Sequence, residues 1–328
     1  MAEAQPAPSR FAPKFEALFS KLVFCYTGRG YQNREFPYRL FVPEIASSSE
    51  KFPLIVWLHG LGDAGDNNSH HLVHLDRLIF RPPWQRQGHS FFLLAVQCPP
   101  GNTSWTTSDP AADDMVNVAM AILEQTIRDY PVDPTRIALA GLSSGGSGCW
   151  ELAMRYPDVF SCVAPISCGS GDVSRLHRLL KVPVWSFYSG RDDKSLTESA
   201  REGAEALRVA GGTVKLTQVN TIAQSVPDHH DAWTQAFFDH DLLNWLLAQR
   251  QGQGSLVTHW GWLRHGYLNW ENLWPRLIPV SILVLGVIAW RLEVRRRARI
   301  NISNWPKPDW NAISIEGRSQ GCRNQRGS

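Results

Sequence analysis

The sequence has few cysteines for its length of 328 residues, and no two of the six stand in C-x-x-C spacing. Such scattered thiols favour buried or idle side chains over a zinc site or a redox pair. The N-terminal stretch also lacks the uninterrupted apolar run of a cleaved signal peptide, which argues against secretion by that route. No internal repeat is visible, so a solenoid architecture is not expected.

An excess of one charge sign is missing from most of the chain. Residues 251–328 contain 11 Lys and Arg against 4 Asp and Glu, and with a whole-chain net charge of +3 this leaves residues 1–250 at a net −4. A mildly acidic body with a basic tail gives no sign of a nucleic-acid-binding surface on the body. We therefore expect no nucleic-acid partner.

Continuously apolar runs bounded by turn residues predict the strands, since strands covered on both faces are apolar throughout. The runs are "YRLFVPE", "FPLIVWLHG", "FFLLAVQCPP", "RIALAG", "VAPIS", "PVWSFYSG" and "VKLTQV". Helical patterns over residues 111–130, 147–156 and 198–209 alternate with the later strands. This alternation predicts an open, mostly parallel sheet flanked by helices, with functional loops at the carboxyl ends of the strands. The short connection after "VAPIS" leaves no room for a large cap.

Residues 141–145 read G-L-S-S-G between the strand "RIALA" and a predicted helix. Small residues at both ends of this motif allow a sharp turn that holds Ser143 in a sparsely populated conformation with its hydroxyl presented to a cleft. Ser144 is the weaker candidate, because the frame around it begins with Leu142. Taken alone, the pattern is also consistent with a glycine-rich helix entry that only packs.

A serine hydroxyl becomes a nucleophile when a base takes its proton and an acid orients the base. Asp192 and Asp193 follow the strand "PVWSFYSG", and His229 and His230 follow the strand "VKLTQV" in the segment "DHHDAW". The order Ser, Asp, His resembles that of the α/β-hydrolase fold. We predict Asp192 as the acid and His230 as the base, with Asp193 and His229 as alternatives.

The loop "LHGLGDAGDNN" follows the strand "PLIVW" and is placed to stabilise an oxyanion. The backbone N–H of Leu61 is the first predicted donor, and the N–H of Ser144, directly after the nucleophile, is the second. His59 stands in the H-G turn itself, where a histidine braces the loop more often than it catalyses. We therefore predict a bracing role for His59.

Two further features have competing interpretations. His70 and His74 are spaced to share one helical face, as metal ligands do, but no H-E-x-x-H pattern accompanies them, so we expect a solvated helix and neither a metal nor a cofactor. Trp105 either lines an acyl pocket or packs in the core.

Four motifs, "WLHGLGDAGDN", "QCPPGNTSW", "GLSSGGSGCWELAMRYPD" and "HDAWTQAF", resemble those of α/β-hydrolase esterases of the phospholipase/carboxylesterase and polyhydroxybutyrate-depolymerase-like groups. Residues from about 20 to 250 are also similar to the catalytic domains of prolyl-oligopeptidase-type peptidases. The resemblance implies Ser143 as nucleophile, Asp192 as acid and His230 as base. The sequence departs from it where Tyr188 and Ser189 replace an expected H-G pair, and where the loop before His230 is longer.

These patterns predict a serine hydrolase that cleaves carboxylic esters of small-molecule or acyl-ester substrates through an acyl-enzyme. A thioesterase or a serine peptidase of the same fold remains open. From another class, a membrane-attached binding protein with an inactive hydrolase body remains open as well. The sequence gives no indication of the oligomeric state.

The predicted organisation is a disordered lead over residues 1–15, a catalytic domain over 16–250, a linker over 251–273, a candidate transmembrane helix over 274–292 and a basic polar tail over 293–328. The 19 residues of the candidate helix carry charge only at Arg276 and Arg291. As a helix they extend about 28 Å at ~1.5 Å per residue, close to the thickness of a bilayer core.

Tryptophans flank this segment, as they do at membrane interfaces, and we expect a single-pass membrane protein that is otherwise cytoplasmic. The alternative is an apolar helix that docks on the body. The run "RRRAR" after the segment predicts a cytoplasmic C-terminus and hence an external hydrolase, which conflicts with the missing signal peptide.

Overall fold

The computed structural model describes residues 13–43, 50–75, 90–101, 104–107, 114–219 and 229–252. Within these ranges eight strands form one mixed sheet in the order β1-β2-β4-β3-β5-β6-β7-β8. The strands are β1 Phe19–Gly28, β2 Tyr31–Phe41, β3 Phe52–Leu58, β4 Phe92–Val96, β5 Val132–Leu142, β6 Cys162–Ile166, β7 Val184–Ser189 and β8 Val214–Val219. Strand β2 is antiparallel to β1 and β4, whereas β4, β3, β5, β6, β7 and β8 pair in parallel.

The helices of the described ranges precede, connect or follow these strands. They are α1 Pro13–Glu16, α2 Met115–Asp129, α3 Ser144–Arg155, α4 Lys194–Val209, α5 Trp233–Phe238 and α6 Leu242–Ala248, and 3₁₀ segments occupy Leu61–Asp63, His70–Leu72 and Val173–Leu179. Two of the long helices have an aspartate as N-cap. The Asp114 side chain accepts from the N–H of Asn117 in α2, and the Asp193 side chain accepts from the N–H of Ser195 in α4.

The sheet carries a hydrophobic core on each face. Along β3, Leu54, Val56 and Leu58 belong to one core, whereas Ile55 and Trp57 belong to the other. Side chains of a strand alternate between its faces, so a strand buried on both sides must be apolar at every position. The first core includes residues of α2, α3 and α4, and the second includes residues of α1, α5 and α6.

All seven predicted strands are present, and the mostly parallel α/β sheet is confirmed. The prediction missed β1, an edge strand whose residues are mostly partly exposed, although residues 22–26 form a continuous apolar run. Helices α3 and α4 begin at Ser144 and Lys194, earlier than the patterns indicated, because the predicted starts ignored the turn and the cap that precede them. The β6–β7 connection holds one 3₁₀ segment and no large cap.

The predicted N-terminal boundary of the catalytic domain is wrong by at least one residue, and the predicted C-terminal segments lie outside the described residues. Phe15, assigned to the disordered lead, is buried against Phe19 at a ring-centroid separation of 5.4 Å. The predicted C-terminal apolar helix over residues 274–292, with the linker and tail around it, lies outside the described residues. In the part of the chain that the structure describes, no helix combines the length and apolar character needed to span a bilayer.

Candidate active site

Ser143 lies in a tight turn between a buried strand and a helix. Strand β5 ends at Leu142, helix α3 begins at Ser144, and Ser143 adopts φ 55° and ψ −123°. This left-handed backbone costs a non-glycine residue on the order of 1–3 kcal/mol and persists only where its surroundings enforce it. Two backbone hydrogen bonds do so, since the Ser143 N–H donates to Ile166 O at 2.8 Å and the Ser143 carbonyl accepts from Ser147 N–H at 3.1 Å.

The glycines around Ser143 allow the helix to press against the end of β3. A Cβ atom on Gly145 would lie 2.1 Å from the carbonyl oxygen of Leu58 and 2.5 Å from that of His59. A Cβ on Gly141 would lie 2.7 Å from the same Leu58 oxygen. These are backbone atoms that cannot move aside, so the G-x-S-x-G spacing is a steric requirement of this packing.

Ser143, His230 and Asp192 form a continuous hydrogen-bonded chain. Nε2 of His230 lies 2.8 Å from Oγ of Ser143, and Nδ1 lies 2.6 Å from Oδ2 of Asp192. An ionised carboxylate can only accept, so Nδ1 carries the proton and Nε2 is left to accept the Ser143 hydroxyl proton. The side chain of Asp192 is 8% exposed and that of His230 is 28% exposed, so the chain runs from the interior toward solvent.

The two adjacent aspartates have different partners. Asp193 is exposed and its carboxylate accepts from both the N–H and the hydroxyl of Ser195, at 2.7 and 2.6 Å. These hydrogen bonds lower the pKa of Asp193 below its ordinary value. Asp193 therefore caps α4, and Asp192 is the aspartate that contacts His230.

The departure from the H-G pair has a structural explanation. Ser189 is fully buried, its Oγ accepts from Arg191 N–H at 3.2 Å, and its carbonyl accepts from Asp192 N–H at 3.2 Å. The hydroxyl of Tyr188 donates to Gln218 at 2.8 Å and accepts from Arg201 at 3.0 Å. Ser189 thus holds the turn that carries Asp192, and Tyr188 links β7 to β8 and α4.

The "HDAW" frame places His230 through its neighbours. The carboxylate of Asp231 accepts from the N–H and hydroxyl of Thr234, at 2.8 and 2.6 Å, and so caps the start of α5. The Trp233 ring packs edge-on against the His230 ring at 5.7 Å. His229, the alternative base, is exposed and is not the histidine that contacts Ser143.

The two predicted oxyanion donors stand at the first positions of two helical segments beside Ser143. Leu61 begins the 3₁₀ segment Leu61–Asp63, and Ser144 begins α3. N–H groups at these positions have no partner inside their own helix. A Cβ built on Gly60, which precedes Leu61, would lie 3.7 Å from Cβ of Ser143, so the turn adjoins the nucleophile candidate.

His59 is buried behind this turn and both its ring nitrogens have hydrogen-bond partners. Nδ1 lies 2.7 Å from the Gly60 carbonyl oxygen, and Nε2 accepts from Cys98 N–H at 2.9 Å. Burial lowers the pKa of His59 to about 4, so the ring is neutral near neutral pH. Through these two hydrogen bonds the His59 ring holds the loop in place, which is the bracing role that the sequence predicted.

Trp105 packs on His59 and does not line an open pocket. Its indole N–H donates to the His59 carbonyl at 3.0 Å, its ring lies 5.1 Å from the imidazole, and it is 1% exposed. Of the two interpretations left open by the sequence, core packing is the one observed.

A buried polar group behind the same loop was missed. Gln97 accepts from Asn68 N–H at 2.8 Å and donates to Asn67 Oδ1 at 3.0 Å, and Arg39 donates to Asn68 O at 2.6 Å. These contacts fix the loop that carries Leu61. The available signal was Gln97 itself, a polar residue at the end of the apolar run "FFLLAVQ".

The histidine segment after this loop differs from the predicted solvated helix. It is a single 3₁₀ turn, His70–Leu72, in which His71 and Leu72 are buried. His74 lies with Nε2 4.0 Å from Oδ2 of Asp63 and its ring 5.2 Å from that of Trp233. Among the described residues, no three His, Cys, Asp or Glu side chains are grouped as metal ligands.

Comparison with solved structures identifies proteins of the same fold. An esterase described as thermostable is 30% identical, with a TM-score of 0.64 over 71% of this chain and 64% of that chain. A ferulic acid esterase is 17% identical, with a TM-score of 0.52 over 70% and 97% of the two chains. An acylaminoacyl peptidase of Pyrococcus horikoshii is 13% identical, with a TM-score of 0.52 over 72% and 42%.

No protein-family model matches the chain, and no curated protein does. The likenesses to the ferulic acid esterase and the peptidase show the fold alone. Together with the thermostable esterase, of which this chain spans 64%, they show that the chain has the α/β-hydrolase fold.

Proposed function

We propose that this protein is a serine hydrolase that cleaves carboxylic esters through an acyl-enzyme. The observation that carries the proposal is the chain from Ser143 Oγ through the His230 ring to Asp192, with separations of 2.8 and 2.6 Å. Both distances are those of direct hydrogen bonds, which proton transfer requires. The 30% identity to a thermostable esterase supports the ester over other acyl substrates.

In the first half-reaction, Ser143 Oγ attacks the ester carbonyl carbon while Nε2 of His230 takes the hydroxyl proton. Asp192 stabilises the imidazolium that forms and keeps the ring oriented. The N–H groups of Leu61 and Ser144 stabilise the negative charge on the carbonyl oxygen. When the tetrahedral intermediate collapses, the alcohol leaves with the proton from His230 and the acyl group stays on Ser143.

In the second half-reaction, water attacks the acyl-enzyme and gives its proton to Nε2 of His230. Collapse of the second tetrahedral intermediate returns that proton to Ser143 and releases the carboxylic acid. Atoms and charge balance without a metal or an organic cofactor, so a chelator should leave turnover unchanged.

Thioester and peptide hydrolysis use the same intermediates and differ in the leaving group. The intact hydrogen-bonded chain argues against the inactive binding protein, whose only support was the altered sequence before Asp192. Ser189 holds the turn of that aspartate and Tyr188 bonds to neighbouring elements, so their identity does not imply lost activity.

Labelling with a fluorophosphonate tests the proposal directly, because the probe reacts with an activated serine. We expect labelling of the wild type and of Ser144→Ala, and none of Ser143→Ala. The Ser144→Ala variant is the matched control, since it removes the neighbouring hydroxyl and keeps the backbone N–H. Absence of label on the folded wild type would contradict the proposal.

A substrate series then identifies the leaving group. Turnover of p-nitrophenyl esters, acyl thioesters and peptide anilides of matched acyl length is measured side by side. We expect the highest kcat/KM for the esters. A higher value for the thioesters or the anilides would assign the protein to one of the alternative activities.

A further inference from the structure

The end of strand β6 contacts both the nucleophile and the base of the proposed triad. The carbonyl of Ile166, the last residue of β6, accepts from the N–H of Ser143 at 2.8 Å. The hydroxyl of the next residue, Ser167, donates to the carbonyl oxygen of His230 at 2.6 Å. Two consecutive residues therefore contact the backbones of two triad residues that lie 87 positions apart in sequence.

Ser167 is itself rigidly held. It is 1% exposed, and its N–H donates to the Phe187 carbonyl of the neighbouring strand β7 at 2.8 Å. Its φ is 52°, in the left-handed region that a non-glycine residue occupies only when its contacts enforce it. Ser143, at the end of the adjacent strand, also has a positive φ, of 55°.

The Ser167 hydroxyl also closes the turn that carries His230. Its Oγ accepts from the N–H of Ala232 at 3.3 Å, and the same N–H donates to the His230 carbonyl at 2.9 Å. One hydroxyl thus contacts both ends of the 230–232 turn. Its donor and acceptor capacities are both used, as a buried hydroxyl requires.

We propose that Ser167 is a positioning residue that fixes the backbone of His230 relative to Ser143. The proposal rests on the serine hydrolase function and adds to it a residue that no motif identified. Asp192 holds the imidazole at Nδ1 and the Trp233 ring packs against it, but both of these contacts are made to the side chain of His230 and neither holds its backbone. The anchored His230 carbonyl supplies the second fixed point, and the two together place Nε2 against Ser143 Oγ.

The test compares Ser167→Ala and Ser167→Gly with Ser170→Ala. Ser170 is a buried serine on the same β6–β7 connection whose hydroxyl donates to Ser199 O at 3.3 Å, so it is a matched control. Active sites are titrated with a fluorophosphonate, kcat per titrated site and KM are measured, and thermal unfolding is followed in parallel. Ser167→Gly adopts the left-handed backbone more readily than Ser167→Ala, which separates strain from hydrogen bonding.

We expect kcat per titrated site to fall about 10²-fold in both Ser167 variants, the loss typical of a misplaced catalytic group, with KM nearly unchanged. Ser170→Ala should keep the wild-type kcat. A merely structural role would lower the unfolding temperature and the number of titrated sites and leave kcat per site intact, which would overturn the inference. A wild type that neither labels nor turns over substrate would instead contradict the proposed function, and with it this inference.

Discussion

The N–H of Cys98 donates to Nε2 of His59 at 2.9 Å and thereby determines which nitrogen of the buried ring carries the proton. With Nε2 accepting, Nδ1 carries the hydrogen and donates to the Gly60 carbonyl oxygen 2.7 Å away. That carbonyl belongs to the same planar peptide unit as the N–H of Leu61. His59 therefore orients the peptide that supplies one of the proposed oxyanion donors.

Two substitutions of His59 separate its two hydrogen bonds. The amide of His59→Asn stands near the position of Nδ1 and can still donate to Gly60, whereas that of His59→Gln stands near Nε2 and can still accept from Cys98. Loss of an oxyanion donor costs on the order of 10²–10³ in kcat. We expect the larger fall in kcat for His59→Gln, measured on an ester with active-site titration. Equal kcat values in both variants would show that the Gly60 contact does not orient the donor.

The neutral state of His59 also makes stability depend on pH. Burial lowers its pKa from 6.5 to about 4, so between these values the unfolded chain binds more protons than the folded one. The contribution of His59 to the free energy of unfolding is therefore fully present above about pH 6.5 and is lost as the pH falls toward 4. The shift corresponds to about 3 kcal/mol. His71, fully buried with its pKa held well below the ordinary value by burial, acts in the same direction.

Urea unfolding between pH 4 and pH 7 measures this dependence. The free energy of unfolding should decrease toward pH 4 in the wild type and decrease less steeply in His59→Gln, which has no group to protonate there. An identical slope in both proteins would mean that His59 is not the residue responsible.

The aspartate pair gives a second kinetic prediction. Asp192→Asn removes the carboxylate that fixes the His230 tautomer, and a comparable substitution in a serine protease triad lowers kcat by about 10⁴-fold. Asp193→Asn keeps a side-chain oxygen that can cap α4, so its kcat should stay within a few-fold of the wild type and its stability should change by less than about 1 kcal/mol. Measuring kcat of both variants by steady-state kinetics shows which of the two aspartates is the acid. The reverse ranking would assign the acid to Asp193.

Most of the fold was predictable because the buried strands are continuous apolar runs separated by turn residues. The G-L-S-S-G motif was informative for a steric reason, since the carbonyl of Leu58 leaves no space for a side chain at Gly145. Strand β1 was missed although residues 22–26 are apolar, whereas β8 at the opposite edge of the sheet was predicted. The three residues predicted for the triad lie in contact, while their catalytic roles stay predictions.

The supporting residues of the site could not be predicted from local patterns. Ser167, Gln97 and Arg39 act through hydrogen bonds to backbone groups that are distant in sequence, and such contacts exist only after the chain has folded. A single polar residue beside an apolar run suggests a buried hydrogen bond but does not identify its partner. The choice between Asp192 and Asp193 likewise required the position of the α4 cap.

The last prediction concerns residues 274–292, for which we propose a membrane anchor. An apolar segment of this length must bury its surface, either in lipid or against protein. If it enters a bilayer, the full-length protein should sediment with membranes and resist carbonate extraction. Replacing Leu283 and Leu285 with Arg places two charges near the centre of the segment, at about 2.5–3.5 kcal/mol each, and should release the protein, whereas Ala at both positions should not. Recovery of the wild-type chain in the carbonate supernatant would contradict the anchor and favour docking on protein.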